Sequence, residues 1–254
     1  MARNKRHRSI RTAFSAFALP VLFCAFFFVS SSSTSQPPPR ISSNVAWTRA
    51  TIDEASHGEA LRGLLIAKHC EHCHGSEGFS AIPDIPNLAG MDRLSFWKQM
   101  LDFASHKRNS AIMSPIAAPL SHVDVADLAA YYSLMPTSDD PLEKRAFPRS
   151  PIRAAQSARA GQLIVLGDGQ RGIPPCQSCH GPVGFKNGAP SLSAQNEDYL
   201  LNQLRDFSAG ARSNDINMPM RTVAALLTDD ERHALAAYYG SGRGQLPAGT
   251  VLEK

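Results

Sequence analysis

Apolar positions recur at helical spacing along most of the chain, and strand-like alternation is nearly absent. Ser121 with Asp124, and Thr228 with Glu231, have the order of a capping box, in which a polar cap is followed three residues later by an acid. Helices are predicted over residues 53–68, 94–103, 123–135, 154–166, 199–207 and 229–239. The predicted fold class is therefore all-α.

The most apolar stretch lies near the N-terminus, from Ala13 to Val29, after five basic residues. A basic start, an apolar run and the small residues Ser30–Ser33 are typical of a secretory signal. The run is slightly short for a membrane-spanning helix of about 20 residues, so an uncleaved anchor is the alternative. The folded part is expected in the periplasm, either soluble or tethered to the cytoplasmic membrane through residues 13–29.

Charge argues against a nucleic-acid partner. The 254 residues have a formal net charge of +4, but residues 1–36 hold five basic residues and no acid, and the remainder has 21 basic and 22 acidic residues. Residues 48–140 have a net charge of −5, whereas residues 151–254 have +1. This difference favours two parts that differ in potential or attract different partners, and two ordinary solvated surfaces with screened charges are the alternative.

Four of the five cysteines lie in two copies of the motif Cys-x-x-Cys-His, the attachment signature of haem c. Two thiols on one turn of chain reach the vinyl groups of one porphyrin edge, and the adjacent His becomes the proximal iron ligand. A redox pair or half of a zinc site would leave the two histidines unexplained. The copies are Cys70-Glu-His-Cys73-His74 and Cys176-Gln-Ser-Cys179-His180. Two covalently attached haem c groups are expected.

The surroundings of the two motifs repeat as well, with an offset that drifts from 104 to 107 residues. Matched positions include Gln99 and Gln203, Phe103 and Phe207, Arg108 and Arg212, and Tyr131-Tyr132 and Tyr238-Tyr239. A unit of about 100 residues with few aromatic side chains can form only a small hydrophobic core. A bound haem would add the apolar surface that such a core needs. The predicted ranges are a signal peptide or anchor (1–36), a linker (37–52), a first haem domain (53–138), a linker (139–152), a second haem domain (153–242) and a tail (243–254).

The second ligand of each iron determines whether the haem transfers electrons or binds a substrate. A Met thioether fills the position opposite the His, which suits electron transfer. Met113 lies 39 residues after His74, and Met220 lies 40 residues after His180. Their matched positions predict that they are the second ligands, with Met218 as the competitor of Met220. Pro86 and Pro190 are candidates for holding the two histidines through backbone carbonyls.

The sequence resembles the dihaem cytochrome c4 family over about residues 55–242. The resemblance rests on both Cys-x-x-Cys-His-Gly sites, the Pro-x-Leu-Ala-Gly-like segments 86–90 and 190–194, the Met-x-x-Ile/Val-Ala steps 113–117 and 220–224, and the Leu-Ala-Ala-Tyr-Tyr segments 128–132 and 235–239. It implies two tandem cytochrome c domains related by a pseudo-twofold axis, with the haem propionate edges close together. The chain departs from the family pattern at Ser193-Ala194-Gln195, and at Met91, where a Gln would be usual.

The resemblance implies an electron carrier of a periplasmic respiratory chain, not an enzyme, and no catalytic residue is predicted. The donor and acceptor would be redox proteins, such as a membrane terminal oxidase or a quinol-oxidising complex. One alternative is the electron-transfer subunit of a periplasmic dehydrogenase. Another is a dihaem peroxidase or thiosulfate-oxidising enzyme, which would need an open iron site.

Overall fold

The computed structural model of the protein describes residues 47–136, 151–181 and 188–241, with side chains from residue 158 onward in the second range. The predicted signal or anchor, the tail, and most of both linkers lie outside these residues. All described residues belong to one compact unit. Within them, no helix has the length and hydropathy needed to cross a bilayer.

The described residues form helices joined by turns, and their only strand-like pairing is the isolated bridge between Asp168 and Ile173. The first half contains α1 (Arg49–Ser56), α2 (Ala60–Ala67), α3 (Glu71–His74), α4 (Arg93–Ala104), α5 (Met113–Ala117) and α6 (His122–Leu134). The second half contains α7 (Pro151–Val165), α8 (Gln177–His180), α9 (Glu197–Ala209), α10 (Pro219–Leu226) and α11 (Asp229–Gly240). The all-α prediction is confirmed.

Both predicted capping boxes are present and set the starts of α6 and α11. The Ser121 hydroxyl accepts the Asp124 backbone N–H at 3.1 Å. The Thr228 hydroxyl accepts the Glu231 backbone N–H at 3.2 Å. Each cap satisfies a backbone donor at the helix start that has no partner within the helix, which is worth about 1 kcal/mol.

The helical pattern over 53–68 corresponds to two helices, α1 and α2, because the chain breaks around Gly58. A Cβ atom at Gly58 would lie 1.9 Å from the Ala126 carbonyl oxygen, and one at Gly63 would lie 2.1 Å from the Asp127 carbonyl oxygen. The two glycines let the backbones of this segment and α6 approach closely. The break allows α1 and α2 both to pack on α6.

Each half has its own hydrophobic core, built on its last helix. In the first half, Leu128 and Tyr132 of α6 pack with Trp97 of α4, and all three are at most 1% exposed. In the second half, Leu235 and Tyr239 of α11 are the corresponding buried residues. The repeat in the sequence is therefore also a repeat in the packing.

The two halves meet through a reciprocal set of side chains, the arginine–glutamine seam, formed by Gln99, Arg108, Gln203 and Arg212. Arg108 donates to Gln99 of its own half and to Gln203 of the other, at 2.8 Å each. Arg212 donates to Gln203 at 2.7 Å and to Gln99 at 3.1 Å. Such an exchange of identical roles is the mark of a twofold relation. It agrees with the predicted pseudo-twofold axis.

Candidate cofactor sites

The first Cys-x-x-Cys-His motif lies at the end of α2, where the chain makes one further helical turn, α3. The His74 backbone N–H donates to the Cys70 carbonyl at 3.0 Å, which closes that turn. The turn ends at Gly75, whose φ of +76° is a conformation that side-chain-bearing residues rarely adopt. A Cβ there would also lie 1.8 Å from the Phe79 carbonyl oxygen.

The second motif repeats this arrangement in α8. The His180 backbone N–H donates to the Cys176 carbonyl at 2.9 Å. Cys176 is in turn held to the preceding helix, because its N–H donates to the Leu163 carbonyl at 3.2 Å. Cys176 is half-buried and Cys179 is exposed, so the two thiols stand at different depths on one turn.

Both motif histidines are oriented by a proline carbonyl. Nδ1 of His74 lies 2.9 Å from the Pro86 oxygen, and Nδ1 of His180 lies 2.8 Å from the Pro190 oxygen. A carbonyl only accepts, so each Nδ1 carries the proton and each Nε2 is the unprotonated nitrogen that can bind a metal. This confirms the prediction made for the two proline segments.

A cavity of about 990 Å³ is lined by residues from both halves. All eight predicted cofactor-binding side chains line it, namely Cys70, Cys73, His74, Met113, Cys176, Cys179, His180 and Met220. Its wall includes many apolar residues, such as Phe96, Leu128 and Leu200. The cavity brings the predicted residues together in a largely apolar space.

The two methionines stand at matching places in short helices. Met113 is the first residue of α5, and its N–H donates to the Ser110 hydroxyl at 3.0 Å. Met220 is the second residue of α10 and follows a proline in the first turn. Met218 precedes α10 with a φ of +68°, and it does not contribute to the described lining of the cavity.

Burial sets the protonation of the site. It raises the pKa of the Cys70 thiol and raises that of Cys176 to about 11, because the charged thiolate is disfavoured in apolar surroundings. Burial lowers the pKa of His74, which favours its neutral, ligating form. No three His, Cys, Asp or Glu side chains among the described residues are grouped to hold a metal ion by themselves.

The donor set fits haem c. Each half offers two thiols on one turn, one imidazole whose Nδ1 is held by a proline carbonyl, and one thioether, around a largely apolar cavity. These are the groups that hold a covalently attached iron porphyrin with His and Met as axial ligands.

Comparison with known proteins agrees with this donor set. The protein-family model described as "Cytochrome C oxidase, cbb3-type, subunit III" matches residues 58–131. The family model described as "Cytochrome c" matches residues 168–241. The cytochrome c4 of Thiocapsa roseopersicina is 35% identical over 173 residues, which cover 66% of this chain and 84% of the relative. The chain belongs to the cytochrome c4 family. Like other cytochromes c4, it is a dihaem electron carrier with two covalently bound haem c groups.

Two further proteins match this chain over most of their own length. The crystal structure of reduced cytochrome c4 from Pseudomonas stutzeri superposes with a TM-score of 0.62 at 32% identity, covering 72% of this chain and 98% of that one. The "Thiosulfate dehydrogenase electron acceptor" of Stutzerimonas stutzeri is 38% identical over 178 residues, covering 69% of this chain and 79% of the relative.

Sequence reasoning missed one polar group beside the sites, the buried pair of Lys98 and Asp102. Lys98 Nζ donates to Asp102 at 2.5 Å and to the Asn214 carbonyl of the other half at 2.6 Å. Burial lowers the pKa of Lys98, and Asp102 opposes that shift. The repeat offset pairs Lys98 with Asn202. A lysine in only one of the two repeats was the feature of the sequence that could have drawn attention to this pair.

Proposed function

We propose that the two haems are attached through Cys70 and Cys73 in the first domain, and through Cys176 and Cys179 in the second. The axial ligands would be His74 with Met113, and His180 with Met220. The observation that carries this assignment is the lining of one apolar cavity by all eight side chains. Bound in this way, each iron supplies one-electron oxidation and reduction.

The chain's own groups prepare the sites for that role. The Pro86 and Pro190 carbonyls hold the two imidazoles by Nδ1, which leaves Nε2 as the ring nitrogen that would bind iron. Met113 and Met220 would each supply the second protein ligand of one iron and so exclude oxygen, peroxide and other ligands. Arg108 and Arg212 line the cavity where the halves meet, and their guanidinium groups suit the propionate carboxylates of the two haems.

The proposed function is therefore electron transport between redox proteins of a periplasmic respiratory chain, without catalysis by the chain itself. The basic and apolar N-terminal segment supports export. The donor and acceptor would be redox proteins that dock on one domain or the other, since the domains differ in net charge.

The test is the optical spectrum of the purified holoprotein. We expect two c-type haems per chain, both low-spin, with the far-red band of methionine-ligated ferric iron. Met113→Ala and Met220→Ala should each remove about half of that band, because each removes one of two thioether ligands. Met218→Leu is the matched control and should leave the band unchanged.

Two results would contradict the assignment. A wild-type protein with a high-spin component, or with only half of the methionine band, would have one open iron, and peroxide turnover would then be assayed. If Met218→Leu lost half of the far-red band and Met220→Ala kept it, the second ligand of the second iron would be Met218 instead of Met220.

A second candidate is the acceptor of electrons from a partner dehydrogenase. The similarity to the thiosulfate dehydrogenase electron acceptor of Stutzerimonas stutzeri favours it. The test mixes the oxidised holoprotein with thiosulfate, with and without a purified thiosulfate dehydrogenase, and follows haem reduction. Haem reduction only in the presence of the dehydrogenase supports this candidate. Haem reduction by thiosulfate alone indicates that the chain is itself an enzyme. If the haems are not reduced in either mixture, the function as a carrier in a respiratory chain is favoured.

A further inference from the structure

The Pro86–Asn87 peptide group is hydrogen-bonded on both of its sides. Its carbonyl oxygen accepts from Nδ1 of His74 at 2.9 Å. Its N–H, which belongs to Asn87, donates to Oε1 of Gln195 at 2.7 Å. Gln195 belongs to the second half of the chain, so one planar peptide group connects the first-domain histidine to the second domain.

Gln195 holds this peptide group firmly. Its Nε2 donates to the Asn87 carbonyl at 2.9 Å, so the amide pairs with both backbone groups of Asn87. The Asn87 side chain donates to the Ala194 carbonyl at 2.8 Å and accepts the Ser80 N–H at 2.9 Å. Gln195 is only 9% exposed, so water competes little for these hydrogen bonds.

The second domain lacks the equivalent arrangement. The repeat pairs Asn87 with Ser191, and Gln195 with Met91. Ser191 is exposed, and its N–H donates to no protein acceptor in the described part of the chain. Met91 lies near Ser191 across a small cavity between the halves, but a thioether has no N–H to donate and accepts only weakly.

We propose that Gln195 is a positioning residue for the first haem, acting across the domain boundary through the Pro86–Asn87 peptide. This proposal rests on the assignment of His74 as an axial ligand. A hydrogen bond donated by a peptide N–H polarises the carbonyl of the same resonant group. The Pro86 oxygen is therefore a stronger acceptor for His74 than the Pro190 oxygen is for His180.

The consequence is a lowered reduction potential at the first site only. A stronger acceptor at Nδ1 makes the imidazole more basic as a ligand, and a more basic ligand favours the oxidised, more positively charged iron. Removing the Gln195 hydrogen bond should raise the potential of the first haem and leave that of the second unchanged.

The test variant is Gln195→Met, since Met occupies the matched position 91 in the first repeat. We expect a threefold to tenfold shift in the oxidised-to-reduced ratio of the first haem, which is a rise of about 30–60 mV at 59 mV per tenfold. NMR of the reduced holoprotein should show the Nδ1–H of His74 exchanging with solvent at least about threefold faster, with that of His180 unchanged. Gln195→Leu repeats the test if the first variant is unstable.

Two controls separate this role from a general loosening of the domain contact. Asn202→Ala removes a different hydrogen bond between the halves, from Asn202 to Asp84 at 2.8 Å, and Met91→Leu changes the mirrored position. Both should leave the two potentials unchanged.

The proposal is overturned if Gln195→Met shifts neither haem or both haems equally, or if Asn202→Ala produces the same shift. A wild-type protein without a His/Met-ligated haem at the first motif would instead overturn the proposed function, and this proposal with it.

Discussion

The buried pair of Lys98 and Asp102 allows a sharp test of how the domain contact is stabilised. Lys98 is 3% exposed and Asp102 is fully buried, with 2.5 Å between Nζ and the carboxylate. Lys98→Met keeps most of the alkyl volume and removes the ammonium group. The variant therefore leaves a buried carboxylate without this cation.

The magnitude follows from the surroundings of the pair. Breaking a buried ion pair by removing one partner costs about 3–5 kcal/mol in the free energy of unfolding. Arg108 and Arg212 stand close enough to repel Lys98 and lower its pKa, although burial is the larger cause. Removing Lys98 relieves that repulsion, so we expect a loss at the lower end, about 3 kcal/mol.

Urea unfolding of the holoprotein, followed by circular dichroism, measures this loss. With a slope of about 1–3 kcal/mol per molar, the midpoint should fall by about 1 M or more. In the double variant Lys98→Met/Asp102→Asn, the midpoint should recover most of that fall, because Asn214 can still donate to the new amide. Asn202→Met, at the matched exposed position, should change stability by less than about 1 kcal/mol.

A cost of less than about 1 kcal/mol for Lys98→Met, or a double variant as unstable as the single one, would contradict this expectation. Either result would mean that the Asp102 carboxylate is stabilised mainly by other groups, such as Asn214 and the two arginines.

Two further predictions concern the second domain. Hydrogen bonds from Arg159 and Arg171 lower the pKa of Asp168 to about 2, so the stability they add is complete above about pH 4 and is lost as pH falls towards 2. The urea midpoint should fall over that window, and less steeply in Asp168→Asn; equal pH slopes would contradict this. Ala194 has a φ of +59°, so Ala194→Gly should raise thermal stability by up to about 1 kcal/mol. A decrease in thermal stability would show that this conformation costs the protein nothing.

Local features were predictable from the sequence. The capping residues Ser121 and Thr228 act within one helical turn, so the signal and its effect lie in the same few positions. The Cys-x-x-Cys-His motifs are equally local. Even the proline carbonyls that hold His74 and His180 lie only 12 and 10 residues away.

Features that depend on the packing of distant segments were not predictable. The break at Gly58 exists because α6 lies against it, and helical periodicity contains no information about that neighbour. The contact between Gln195 and Asn87 joins residues 108 positions apart. The repeat marked Gln99 and Arg108 as paired with Gln203 and Arg212, but not as the groups that bring the halves together.

The arginine–glutamine seam also bears on the history of this chain. A surface in which each copy offers the same Gln and Arg to the other is self-complementary, as in a symmetric homodimer. Two separate copies of one gene product must carry any substitution on both sides. Fusion into one polypeptide removes that constraint and lets each copy diverge alone. The differences between Lys98 and Asn202, and between Met91 and Gln195, are asymmetries that a homodimeric ancestor could not have encoded.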